Sequence, residues 1–262
     1  MHDINKIKAS IRNHTLLITG GGGGSGIGYS TAKLFAKMGA NVAVNYLPED
    51  KESKNRIKKL KEKYINIIEV PGDVSQDIIA KKIILETIEK FKGLNYLINN
   101  VGIGLVKDPI SFDDLDQLND SFWQKIINVN LMSAFYCSRI ASKELIKNKG
   151  AIVNVTSISS NGKRGTSIPY AVSKGALQTL TVSLAKSLSP NVRVNAVSPG
   201  FTETTMTNQR TEEHKKRMAK QTLLNRIAKP EEIAETIFFL CVSGSYITGE
   251  TINVNGGHGF NY

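Results

Sequence analysis

Short β-branched runs alternate with longer helix-spaced segments along the chain, and this alternation restricts the fold more than any other feature. The strand-like runs are 15–19 (TLLIT), 42–45 (VAVN), 67–70 (IIEV), 95–99 (NYLIN), 151–155 (AIVNV), 192–197 (VRVNAV) and 251–254 (TINV). Between them, 27–38, 49–63, 76–91, 111–147, 170–188 and 230–241 carry helical spacing. Nearly continuous apolar strands must be covered on both faces, and right-handed crossovers then give a parallel sheet between two layers of helices. The expectation is an α/β fold, a doubly wound seven-stranded parallel sheet forming one domain over residues 1–262. Only 201–226 breaks the rhythm; it is polar, follows a strand end and reads as a lid or insertion.

Composition matters mainly for what it excludes. With 262 residues, 40% of them hydrophobic, the chain can bury one large core. No apolar run approaches the roughly 18 to 20 residues of a membrane span, and the polar start MHDINKIKAS lacks a signal-peptide core, so the reading is cytoplasmic with no membrane partner. Cys137 and Cys241 have no partner spacing and read as reduced core residues; His2, His14, His214 and His258 have no ligand spacing, so no metal is expected. The formal net charge of +11 raises the question of nucleic acid. Its lysines, however, are mixed with acids in EDKESKNRIKKLKEKY (49–64) and EEHKKRMAK (212–220), without a basic stripe interleaved with aromatics. These are solvated helix faces: no nucleic acid is expected, while an acidic substrate or carrier stays open.

The stretch LLITGGGGGSGIGYSTAKLF, residues 16–35, places its glycines at the carboxyl end of the first strand, where parallel sheets of this type bind ligands. A glycine backbone can turn sharply and approach a pyrophosphate closely, and the helix starting near Ile27 offers unpaired N–H groups to the anion. A glycine pair alone is weak support for such a site; a strand before it and a helix after it strengthen the reading.

Further along stand NNVG (99–102), GDV (72–74), NVNL with Asn130, VTS with Ser157, YAVSK with Tyr170 and Lys174, and SPGFTET (198–204). In this order, over nearly the whole chain, the sequence resembles the short-chain dehydrogenases/reductases and, within them, is similar to 3-oxoacyl-acyl-carrier-protein reductases. The resemblance implies a Rossmann-type fold and a catalytic set of Asn130, Ser157, Tyr170 and Lys174. It also implies cofactor contacts from Gly20, Ser25, Gly26, Ile27 and Gly28 in the phosphate loop, Asn45 and Tyr46 after the second strand, Asp73 and Val74 at adenine, and Asn100, Val101 and Gly102 after the fourth strand. Tyr170, Lys174, Pro199, Gly200, Thr202 and Thr204 complete that set at the nicotinamide end. The family loop T-G-x-x-x-G-x-G fits imperfectly. Counted back from Gly26 and Gly28, its Thr falls on Gly21, whereas the Thr-Gly pair is Thr19-Gly20. Either two residues are inserted, or the strand ends later with Gly in place of Thr.

Tyr170 and Lys174 stand at i and i+4 on one helix face, and a cation there favours the phenolate, bringing tyrosine down from about 10 toward a usable acid or base. By resemblance, Ser157 binds the same substrate oxygen, Lys174 also holds the nicotinamide ribose, and Asn130 bends its helix and anchors a relay water. The reaction implied is hydride transfer between nicotinamide C4 and a carbonyl or secondary alcohol. At the end of the second strand Asn45 stands where an NAD-selecting carboxylate would repel the 2′-phosphate of NADP, so NADP(H) is favoured. NAD(H) is the alternative: Ser25 stands where many NADP-using relatives carry Arg, and Glu49 and Asp50 are near. The substrate pocket falls on 103–109, 159–168 and 201–226, where Lys107, Lys163 and Arg164 suit a carboxylate, a phosphate or a carrier-bound acyl chain. Sugar, polyol and steroid dehydrogenases share the layout. From another class, a non-catalytic dinucleotide-sensing protein is disfavoured by the intact catalytic set. The family also implies a homotetramer built on the helices of 111–147 and 170–188 and the C-terminal YITGETINVNGGHGF.

Overall fold

The computed structural model describes residues 11–23, 26–104, 110, 114–161, 165–208 and 210–259. All seven strand-like runs form strands: β1 (Thr15–Ile18), β2 (Asn41–Val44), β3 (Ile67–Glu69), β4 (Tyr96–Asn99), β5 (Ala151–Val155), β6 (Arg193–Pro199) and β7 (Thr251–Val254). They pair in parallel in the order β3-β2-β1-β4-β5-β6-β7. The chain winds outward from β1 to β3, then returns to β4 and winds the other way. The order therefore reverses between β1 and β4, which opens a crevice at their carboxyl ends.

Alternation along each strand sends side chains to two separate cores. Leu16, Ile18, Val42, Val44, Ile98 and Val153 face α1 (Ile27–Lys37), α2 (Lys51–Lys63) and α9 (Pro230–Val242), which contribute Phe35, Ile57 and Ile237. Leu17, Ala43, Leu97, Ile152 and Val194 face α3 (Asp77–Phe91), α5 (Ser133–Lys147) and α6 (Ile168–Leu188), which contribute Ile84, Leu145 and Ala185. Among the described residues no helix is long and apolar enough to cross a membrane.

The segment expected to be helical from 111 departs from that reading. Helix α4 (Asp120–Ile127) starts only after Asn119, whose side chain accepts the Phe122 N–H at 3.0 Å, and Leu115 before it is exposed, with no apolar surface to cover. A π turn, Asn128–Met132, then joins α4 to α5. The stretch 201–226 carries two short helices, α7 (Thr205–Asn208) and α8 (Glu212–Lys220). Its base is pinned by a parallel bridge between Thr202 and Ala228 and by the ion pair of Arg226 with Glu232.

At the start of β6, Arg193 closes the carboxyl end of α9. Its guanidinium donates to the carbonyls of Leu240 at 2.6 Å, Cys241 at 2.8 Å and Gly244 at 2.8 Å, groups that a helix end leaves without partners. Arg193→Met is expected to cost about 2–3 kcal/mol, a fall of roughly 5–10 °C in the thermal midpoint for a chain of this size. An unchanged midpoint by circular dichroism would remove Arg193 from this role.

Candidate active site

Thr19 and Asn100 hold the crevice together. The Thr19 hydroxyl donates to Ile98 O and accepts the N–H groups of Asn100 at 3.1 Å and Val101 at 3.4 Å. The Asn100 carboxamide donates back to the carbonyls of Thr19 and Gly20, each at 3.1 Å. β1 thus ends before the Thr19-Gly20 pair, and of the two alternatives the insertion is the one that forms, its extra residues lying between Gly20 and Gly26. Ser25 lies outside the described residues. Gly20 turns the chain at φ +61°, a conformation glycine adopts without strain. At Gly28 a Cβ would come within 2.6 Å of Asn100 Nδ2 and 2.7 Å of Gly20 O, so only a bare backbone lets α1 approach the loop this closely.

Gly26 begins α1 without a side chain to cap it, and the first turn from Ile27 carries no acid. Its N–H groups are directed at the crevice as a site for an anion. A close-approach glycine beside an anion-seeking helix end fits a pyrophosphate-bearing nucleotide.

On the adenosine side the structure changes the reading of Asn45. The residue is buried, and its carboxamide donates to Val70 O at 3.0 Å and Gly72 O at 2.9 Å while accepting the Gly20 N–H at 3.4 Å. Its backbone carbonyl takes the Gly21 N–H at 2.8 Å. The side chain thus braces the loops after β1 and β3. Tyr46 is buried too, and its hydroxyl donates to Glu69 at 2.6 Å. Asp73 accepts from the Ser75 N–H and hydroxyl, which fixes the turn before α3, and Val74 is buried beneath it.

At the other end, Ser167 caps α6 by accepting the Tyr170 N–H, and Pro169 sits in the first turn, where its missing donor costs nothing. One turn on, buried Lys174 donates to Val155 O at 2.9 Å, with its Nζ 6.0 Å from the Tyr170 ring centroid. Gly102 leaves room for this amine: a Cβ there would lie 2.9 Å from Nζ. Asn130 lies in the π turn, fully buried. Its Oδ1 accepts the Ile103 N–H at 2.8 Å, and its Nδ2 donates to Ile103 O and Ser173 Oγ, each at 3.0 Å. Ser173 in turn donates to Tyr170 O at 2.7 Å. Asn130, Ser173 and Tyr170 therefore form one connected group, Lys174 follows one turn on, and Ser157, just beyond β5, acts on the Tyr170 phenol by lowering its pKa. Ser173 went unnoticed in the sequence, although its place three residues after Tyr170 on the same face was a usable signal.

The electrostatics differ from the expected pattern. Burial lowers the Lys174 amine to about 8, and burial raises the Tyr170 phenol above its ordinary value, with the Ser157 hydrogen bond pulling it back down. In the free protein desolvation governs both groups, and Lys174 is not what moves the phenol. Beyond β6, which ends at Pro199, Gly200 packs where a Cβ would meet Asn255 Cα at 2.9 Å. The Thr202 hydroxyl donates to Gly200 O, and the Thr204 N–H donates to the Thr207 hydroxyl. The described site residues all gather at the carboxyl edge of the sheet. Lys107, Lys163 and Arg164 lie outside the described residues.

Residues 22–259 match the family model described as enoyl-(acyl carrier protein) reductase. The 3-oxoacyl-[acyl-carrier-protein] reductase of Staphylococcus epidermidis is 33% identical over 248 residues, 94% of this chain and 98% of that protein. The protein of the same description from Thermotoga maritima is 34% identical, covering 92% and 96%. The solved structure of a short-chain dehydrogenase/reductase from Brucella melitensis, described as glucose/ribitol dehydrogenase, superposes with a TM-score of 0.85 at 33% identity, covering 94% of this chain and 97% of its own.

Because Asn45 braces two loops, Asn45→Asp would set a carboxylate against the carbonyl oxygens of Val70 and Gly72. The expected cost is about 3 kcal/mol or more, with nucleotide binding weakened alike with and without a 2′-phosphate. Calorimetric titration with both forms checks this; a loss confined to the 2′-phosphorylated form would return Asn45 to the ribose.

Proposed function

Since the chain belongs to the short-chain dehydrogenase/reductase family, whose members are oxidoreductases working with a nicotinamide cofactor, we propose that it is a cytoplasmic, NADP(H)-dependent reductase of 3-oxoacyl chains carried as thioesters. The observation that supports the reading is the gathering of Asn130, Ser157, Tyr170 and Lys174 beside the glycine crevice, with Asn130 tied through Ser173 to Tyr170 and Lys174 held by Val155 O. The bound nicotinamide supplies the hydride. Tyr170 gives its proton to the substrate oxygen, and Ser157 hydrogen-bonds that oxygen and fixes its direction. Lys174, held by Val155 O, is poised to bind the ribose hydroxyls, and Asn130 and Ser173 fix the helix turn that bears Tyr170. In the phosphate loop Gly20, Gly26, Ile27 and Gly28 would hold the pyrophosphate, with Ser25 beside them. Asp73, Val74, Asn100, Val101 and Gly102 would line the adenosine and ribose, and Pro199, Gly200, Thr202 and Thr204 the carboxamide. The segment 201–226 would close over the substrate.

Two features support the cofactor and substrate. Neither Asn45 nor Tyr46 presents a carboxylate to repel a 2′-phosphate, and relatives described as 3-oxoacyl-[acyl-carrier-protein] reductases align over nearly their whole length. The net charge of +11 suits an acidic carrier. NAD(H) is the second cofactor reading. Asp50 caps α2 close by, and although burial opposes its ionisation, hydrogen bonds from Ser53 hold its carboxyl below the ordinary value. A sugar or polyol alcohol is the second substrate reading, favoured by the Brucella melitensis structure.

A homotetramer is the proposed assembly. Val172 and Val182 on α6 and Ile146 on α5 are exposed apolar residues on helices that already cover the sheet, and such surface is well used by a second copy. Light scattering is expected to return about four times the chain mass of 28.7 kDa; a fully active monomer would refute it.

Tyr170→Phe keeps the ring and removes the proton. Turnover of a 3-oxoacyl thioester is expected to fall by roughly 10²-fold or more while nucleotide binding persists. Activity near that of the parent protein would overturn the assignment.

A further inference from the structure

The turn after β5 carries three serines with different duties. Ser160 closes the turn: its hydroxyl and its N–H both donate to Ser157 O. Ser159 is buried and faces Ser157 instead. Its backbone N–H donates to Ser157 Oγ at 3.2 Å, and its own Oγ accepts the Ser157 hydroxyl proton, also at 3.2 Å. Gly165 closes the far side. A Cβ there would lie 2.8 Å from Ser159 Oγ and 3.2 Å from Tyr170 Cδ1, so Ser159 and the Tyr170 ring share one wall of the site.

Ser157 has a single proton to give. In the free protein Ser159 accepts it, and a substrate oxygen would be the competing claimant. We propose that Ser159 is a positioning residue that holds the Ser157 proton while the site is empty and yields it to the reacting oxygen. Its catalytic consequence rests on the oxidoreductase reading above; the hydroxyl pair itself belongs to the free protein.

A consequence follows for Tyr170. A Ser157 proton held by Ser159 is withheld from the Tyr170 oxygen, and it is donation from Ser157 that lowers the phenol. Without Ser159 Oγ, Ser157 donates to the phenolate and favours the ionised form. Among the described residues the charged group facing Tyr170 is Lys174. Residues 128–132 and 158–161, packed around it, bring no ionisable side chain, and Asp120 and Lys125 on α4 are exposed. Removing the Ser159 hydroxyl alters none of these.

Ser159→Ala keeps the backbone N–H and deletes the acceptor. In the free protein, without cofactor or substrate, tyrosinate absorbance is titrated and the Tyr170→Phe titration in the same background subtracted. The expected result is a fall in the Tyr170 pKa of roughly half to one unit, the strength of one hydroxyl hydrogen bond, with the parent value restored in Ser159→Thr. The pH profile of turnover is expected to move by the same interval. An unchanged or raised Tyr170 pKa in Ser159→Ala overturns the proposal, as does a loss of turnover with no shift, which would make Ser159 a packing residue. Because the titration uses no substrate, its failure is distinct from the failure of the functional reading, which only the turnover assay reports.

Discussion

Everything at the carboxyl edge of the sheet depends on the reciprocal hydrogen bonds between Thr19 and Asn100. They tie the end of β1 to the end of β4 at the point where the strand order reverses. A crevice of this kind opens because neighbouring strands send their connections in opposite directions, so the chain itself does nothing to close it. The two side chains supply that closure with five hydrogen bonds, and in doing so fix the carbonyls of Thr19 and Gly20. With those carbonyls fixed, Gly28 can pack against them, and α1 arrives with its N–H groups aimed at the gap. Asn45 extends the same bracing to the loop after β3. The nucleotide side of the site is thus preorganised by buried amides, which tolerate no partial satisfaction.

The catalytic side is built the same way, through polar groups that cross from the sheet to the helices. Asn99 at the end of β4 donates to Asn154 on β5 at 2.8 Å and to Ser138 on α5 at 3.1 Å, and Asn154 donates to Thr181 on α6 at 2.9 Å. An apolar contact would let α6 slide by fractions of an ångström; this chain of directional bonds sets its register on the sheet. Lys174 lies two turns before Thr181 on the same helix and reaches Val155 O, the carbonyl next to Asn154. The register of α6 and the position of Lys174 are therefore fixed by adjacent residues of β5.

How much of this was legible in the sequence differs by kind of signal. Strands survived intact because seven apolar runs with turn residues between them leave little choice, and Asn130, Ser157, Tyr170 and Lys174 were singled out from residue types at fixed spacing. Helix α4 was misread as beginning at 111: DDLDQLND has apolar residues at helical intervals, yet Leu115 finds nothing to bury against, and the Asn119 cap decides the start. Asn45 reads in the sequence as a ligand contact because it is a polar residue at a strand end; that its carboxamide also braces two loops depends on the pleat, where a shift of one residue reverses a side chain. Ser159 was invisible for a related reason. A serine becomes meaningful only through the partner that the fold brings to it.

The least foreseeable feature is the sign of the electrostatics. From sequence, a lysine one turn after a tyrosine suggests a cation that lowers the phenol. In the folded protein the amine is buried, reaches a main-chain carbonyl and is itself lowered to about 8, while burial raises the phenol. Between about 8 and the ordinary lysine value of about 10.4, the unfolded chain binds a proton that the folded chain has lost, so this group's contribution makes stability rise with pH across that window. Below about 8 the folded protein carries a charged amine in its interior at full cost. That cost is sustained by the Val155 carbonyl and by the room Gly102 leaves, and a polar ligand supplying hydroxyl oxygens at Nζ would relieve it.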